Sequence, residues 1–401
     1  MHILWYLLWP LEACCIKVCY LFIKVTRRPD TSFPSPGVPQ VGRFGFLRRL
    51  ACHITSFTMT TAEETGALSS LLADNETAVQ MTAILGTMLA ILAGLVFIQT
   101  PNSAFKVKST YIADAKAQPS KYAYEMYALY YTPVWIGCFA VIVGLQLYES
   151  FTATTYNVVC IGLSLPFLLQ PLLIPDALFH SPDAKRPFLQ RYSTKANLWL
   201  AVYSFIGNYW YTHYFYSVLN AEYTMPAHRL NNVPIALYFA THFYFSTYHV
   251  FSNACLRKVA TSFAPGPRRT TLFVGVVIVL SYFTAFMETL SISSFPYYAF
   301  EDRNMAYTVG SAFYGIYFLV SFPAFYAFDE YIDAKKKQVT LWDTFVSGCG
   351  HGMMILCLLD FVRLHLGVPL VVGDPSAGKS DSMASWLMDY SSSWFGGSSS
   401  P

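Results

Sequence analysis

The chain has 401 residues, of which 54% are hydrophobic, 17% aromatic and 12% charged, with a formal net charge of +3. Soluble domains carry about 25% charged residues, so this deficit excludes an ordinary soluble fold and points to a polytopic membrane protein. The net charge is too small to argue for nucleic acid, and the nine cysteines show no CxxC or CxxH spacing that would mark a disulfide framework or a zinc site.

Residues 1–23 are apolar but contain Pro10, Glu12 and Lys17, and the basic pair Arg27-Arg28 follows them. That makes a poor signal peptide; a signal anchor is one reading and a natural start at Met59 the other. The stretch 28–60 is rich in Pro, Ser and Arg and reads as disordered. Residues 79–99 form a candidate span without a charge. Seven further apolar runs follow, at 127–148, 157–179, 196–219, 232–252, 271–294, 305–327 and 341–361. Each is long enough for a helix to cross the hydrocarbon core. The tail from 367 is rich in Ser and Gly.

Loop charges alternate along the seven runs. Lys106, Lys108, Lys116 and Lys121 precede the first, and Lys185, Arg186, Arg191 and Lys195 lie between the second and third. Arg257, Lys258, Arg268 and Arg269 lie between the fourth and fifth, and Lys335, Lys336 and Lys337 between the sixth and seventh. The opposite loops carry only Arg229 and Arg303. By the positive-inside rule the first run enters from the cytosol and the seventh ends on the other side.

Few ionisable residues lie within the runs. Glu288 is the most informative, because a charged carboxylate at such depth costs roughly 2.5–3.5 kcal/mol. His213 lies in the third run, His242 and His249 in the fourth, and Asp360 at the end of the seventh. On the predicted orientations, His213 and Glu288 both lie roughly 9 Å from the non-cytosolic end. The functional reading is a polar site inside a helical bundle, with Glu288 as proton donor and a histidine as base or relay. The plain alternative is helix packing through satisfied polar contacts. Packing is favoured for His249, Asp329, Glu330 and Glu149 at span ends, and Asp360 has Arg363 three residues on as a partner.

The aromatics are dense, as in Tyr209-Trp210-Tyr211 and Phe243-Tyr244-Phe245. They suit interfacial belts and equally a flat-walled pocket whose π faces stabilise a cation. The histidines are scattered singly, so no metal is expected. Gly373-Asp-Pro-Ser-Ala-Gly-Lys-Ser380 matches the phosphate-loop pattern GxxxxGK[ST]. True phosphate loops join a strand to a helix in an α/β domain, which a short Ser-rich tail cannot supply, so no nucleotide is expected. Asn75-Glu-Thr77 is a glycosylation sequon that counts only if lumenal.

Longer words carry a resemblance. They include Lys195-Ala-Asn-Leu-Trp199, Gly207-Asn-Tyr-Trp-Tyr-Thr-His-Tyr-Phe215, Asn231-Asn-Val-Pro234, Thr241-His242, Tyr248-His249, Glu288-Thr289, Phe295-Pro-Tyr-Tyr298, Val320-Ser-Phe-Pro323, Asp329-Glu330 and Leu359-Asp360. Over roughly 124–366 the chain resembles the cycloeucalenol cycloisomerase family. The resemblance implies an all-α polytopic membrane protein, a bundle of about seven core transmembrane helices with one or two additional N-terminal apolar segments, in the endoplasmic reticulum membrane. It implies an isomerase of sterol biosynthesis that opens the 9β,19-cyclopropane of cycloeucalenol to give obtusifoliol, with no cofactor. Glu288 is then the preferred proton donor, His213 or His242 the base or relay, and Asp360 its orienting partner. Asn208, Tyr211, His249, Tyr297 and Glu149 are candidates for the sterol contacts or the polar network.

On this reading 1–58 is an N-terminal extension, 59–120 a lineage-specific segment, 121–366 the seven-helix core and 367–401 the tail. The expected partners are a 9β,19-cyclopropyl sterol and membrane lipid, with no nucleic acid or nucleotide. The rival readings are a sterol-binding or transport protein without chemistry and a Δ8 sterol double-bond isomerase.

Overall fold

The computed structural model describes residues 75–102, 110–173, 181–292, 295–328, 333 and 339–372. The apolar run 1–23, Met59, Asp329-Glu330 and the Gly373–Ser380 match lie outside these residues.

The described residues form nine helices of eight residues or more: α1 Asn75–Phe97, α2 Pro119–Gly144, α3 Ala153–Leu173, α4 Tyr192–Ile206, α5 Thr212–Leu219, α6 Ile235–Ser262, α7 Pro267–Ile292, α8 Ser311–Ala327 and α9 Leu341–His365. A π-helical turn, Gly207–Tyr211, joins α4 to α5 in one rod, and a second, Ala306–Gly310, leads into α8. The chain is an all-α polytopic membrane protein. Six of its helices are long and apolar enough to cross a bilayer: α1, α2, α3, α7, the Arg303–Ala327 rod and α9. The α4–α5 rod and α6 carry the most polar and aromatic side chains. Among the described residues, each of the seven apolar runs overlaps a helix, and the candidate span 79–99 overlaps α1.

The packing explains why α6 is the least apolar of the long helices. It touches α2, α3, α4, α7 and α8, so most of its surface meets protein rather than lipid. Its polar side chains therefore find partners on other helices. The α7–α8 pair is the most extensive contact, followed by α3–α6 and α4–α9. Outside this bundle, α1 lies against α7 at Gly275, where an added Cβ would come within 2.9 Å of Leu95.

Several charges that read as loop signals are in fact structural. Arg257 and Glu125 form a two-point pair at 2.7 and 2.8 Å with both residues buried. Glu125 also accepts from Asn253 and from the Ala113 backbone. The Lys121 ammonium donates to the Tyr326 carbonyl at 2.7 Å, and that of Lys195 to the Val339 carbonyl at 3.3 Å. The charges at Lys121 and Glu125 also explain why the first apolar run begins at 127 whereas α2 starts at Pro119. They depress the hydropathy of a turn that is nonetheless helical and buried.

Proline sets the interior polar links of α3. Pro171 has no N–H, which frees the carbonyl four residues earlier. Asn197 of α4 donates to that carbonyl, Phe167, at 3.0 Å. The end of the bundle where α5 leads to α6 and α7 to α8 is closed by two short ladders. Strands β1 Glu222–Tyr223 and β4 Tyr298–Ala299 pair antiparallel, as do β2 Arg229–Leu230 and β3 Val233–Pro234. Asn231 and Asn232 turn the second hairpin at φ of 52° and 57°, the left-handed conformation that a two-residue turn requires and asparagine tolerates.

Candidate active site

Glu288 projects from α7 toward α6 and α8. The Tyr314 hydroxyl of α8 donates to its Oε2 at 2.8 Å, and Tyr248 of α6 is a polar neighbour of the carboxyl. Tyr203, Tyr223, Tyr244 and Tyr298 lie near enough to interact with it electrostatically. Glu288 is surrounded by protein yet keeps partial accessible surface, as do Tyr223, Tyr244, Tyr248, Tyr298 and Tyr314. One acid thus lies among several phenols.

The three histidines differ in what their nitrogens do. His242 faces Asn197, with Nε2 3.0 Å from Oδ1. Both amide protons of Asn197 are spent on the Phe167 and Ser193 carbonyls, so its oxygen accepts and His242 Nε2 donates. His249 is caged by Trp199, Tyr203, Phe245, Phe322 and Phe325. Its Nδ1 donates to the Phe245 carbonyl at 2.7 Å, and Nε2 faces the Ser321 hydroxyl at 2.9 Å. His213 is fully buried, and neither ring nitrogen has a hydrogen-bond partner among the described residues. Asn231 is a polar neighbour of His213, and the Tyr216 ring stands edge-on to it at 5.6 Å. Rings then continue through Tyr223, at 6.2 Å from Tyr216, to Tyr298, stacked on Tyr223 at 4.3 Å. That path links the surroundings of His213 to the tyrosines around Glu288.

Over 263 residues the chain is 41% identical to cycloeucalenol cycloisomerase of Arabidopsis thaliana, spanning 64% of this chain and 90% of that protein. The chain belongs to the cycloeucalenol cycloisomerase family. It is an enzyme, an isomerase. No family model matches the chain, and no solved structure matches it.

The words that resemble the cycloeucalenol cycloisomerase family meet one another in space. Asn197 of the first word holds His242, and Ser321 holds His249. Asn208 of the π turn donates at 2.8 Å to Thr241, and Asn231 donates at 2.7 Å to the Tyr209 carbonyl of that turn. Tyr211 donates at 2.9 Å to the Gly352 carbonyl, which ties the turn to α9.

The remaining candidates lie apart from Glu288. Asp360 is held by Arg363 at 2.6 and 2.8 Å, the pairing its i, i+3 spacing allows, and Tyr214 reaches it at 3.5 Å. Tyr297 packs against Tyr148, with ring centroids 6.0 Å apart. Glu149 is exposed on the 3-10 turn Leu147–Ser150. Among the described residues, no three His, Cys, Asp or Glu side chains converge as metal ligands would. Sequence reading missed Tyr314 as the partner of the acid and Tyr248 as its neighbour. The available signal was their placement on the runs flanking that of Glu288, but aromatic density alone gave no reason to single them out.

Proposed function

We infer that the chain acts in sterol biosynthesis and opens the 9β,19-cyclopropane ring of cycloeucalenol to give obtusifoliol. The 41% identical relative is named for that substrate. The observation that carries the reading is the Glu288 carboxyl, held by the Tyr314 hydroxyl at 2.8 Å amid tyrosines where α6, α7 and α8 pack together. Ring opening needs a desolvated acid for C19, walls that keep water from the developing cation, and a base for the C8 proton. Protons in and out balance and no electrons are transferred, so the reaction needs no redox cofactor.

Glu288 is the proton donor in this proposal. His213 is retained as base or relay, because His242 is committed to Asn197 and Asp360 to Arg363. The catalytic unit is the 121–366 core, with 1–58, 59–120 and 367–401 as additions. The enzyme resides in the endoplasmic reticulum membrane, with a cyclopropyl sterol and lipid as partners and no nucleic acid or nucleotide. The test is expression in a sterol-auxotrophic microbe fed cycloeucalenol, with product sterols read by mass spectrometry. Obtusifoliol is the expected product, and its absence from well-expressed protein overturns the proposal.

A further inference from the structure

We propose that Tyr314, with Tyr248 beside it, is a positioning residue that stabilises the conjugate base of Glu288 as its proton leaves. The inference rests on the acid role of Glu288 proposed above. The phenols come from α8 and α6, which both pack against the helix that carries the acid and against each other. Tyr314 is fixed by its own surroundings. Its ring stands edge-on to Phe215 and Tyr317, at 5.3 and 4.8 Å, and packs on Phe318 at 5.2 Å. Its hydroxyl is therefore aimed before any substrate arrives.

During ring opening the Glu288 O–H bond breaks and a C19–H bond forms, using the electron pair of the C9–C19 bond. A cation is left at C9 and a carboxylate at Glu288. The C8–H pair then becomes the C8=C9 double bond, and that proton passes to a base of the pocket. A hydrogen bond to a carboxylate is stronger than one to a neutral acid. Fixed donors aimed at charge that develops in the transition state lower the barrier rather than merely tightening binding. The phenols thus act on turnover, through Glu288, without needing to touch the sterol.

The experiment compares wild type, E288Q, Y314F and the E288Q/Y314F double variant on cycloeucalenol, in membranes adjusted to equal protein. Y314F is expected to lose about 10- to 100-fold in kcat, with KM changed by less than about threefold. It is expected to show a larger solvent deuterium isotope effect, because proton donation becomes more rate-limiting. The double variant should be no worse than E288Q, since the phenol acts only through the carboxyl. Site-specific replacement of Tyr314 by 3-fluorotyrosine keeps the ring and strengthens the donor; it should hold or raise kcat, and it decides the matter if Y314F fails to fold.

An active wild type, inactive E288Q and unimpaired Y314F overturn this inference alone, as does a loss confined to KM or a fluorotyrosine enzyme slowed like Y314F. An inactive wild type overturns the proposed function and this inference with it.

Discussion

Arg257 holds Glu125 through two hydrogen bonds at 2.7 and 2.8 Å, with neither side chain more than 5% exposed. The pair joins α6 to α2 and, through the Ala113 backbone, fixes the strand of chain that leads into the bundle. Removing one partner leaves the other charge buried and unpaired, which costs about 3–5 kcal/mol. Arg257→Met should therefore lower the midpoint of thermal unfolding in detergent sharply. Glu125→Leu combined with Arg257→Met should recover part of that loss. A single variant as stable as wild type contradicts the pairing.

Asn197 and His242 form a second link with a different expected signature. Asn197→Ala strands the Phe167 carbonyl and removes the acceptor for His242, at a cost of about 1–3 kcal/mol. His242→Gln keeps a donor for Asn197 and should retain most of the turnover per folded molecule. Quantifying folded enzyme alongside product separates the two effects. Loss of turnover at full stability in His242→Gln would return His242 to the chemistry.

Gly352 makes a third test, of the contact between α9 and the π turn. A Cβ there would lie 2.8 Å from Ile206 Cδ1 and 3.2 Å from the Tyr211 hydroxyl, the same hydroxyl that donates to the Gly352 carbonyl. Gly352→Ala should destabilise by about 1–3 kcal/mol. An unfolding midpoint equal to that of wild type would show that this contact is looser than it stands here.

These sites also show what could be read from the residues. The seven apolar runs declared their helices because spanning length and apolarity are local properties. Glu288 declared itself because an acid is costly wherever it lies in such a run. Glu125 and Arg257 did not, since a charge near a helix end looks the same whether it meets water or a partner 132 residues away. Lys121 and Lys195 were read as loop charges for the same reason. Asn197 gave no hint of its role, because the carbonyl it satisfies is freed by Pro171 on another helix. Tyr314 and Tyr248 were hidden among many tyrosines; only the packing of α6, α7 and α8 decides which of them lie beside the acid.

The most direct measurement of the central claim is the sterol profile of cells fed cycloeucalenol and expressing either wild type or Glu288→Gln. Glutamine keeps the shape of the side chain and its capacity to hydrogen-bond the Tyr314 hydroxyl, but it is no proton donor at neutral pH. Wild type is predicted to accumulate obtusifoliol. Glu288→Gln, present at equal level and still binding sterol, is predicted to leave cycloeucalenol unconverted. Obtusifoliol at wild-type yield from Glu288→Gln would contradict the assignment of Glu288 as the acid.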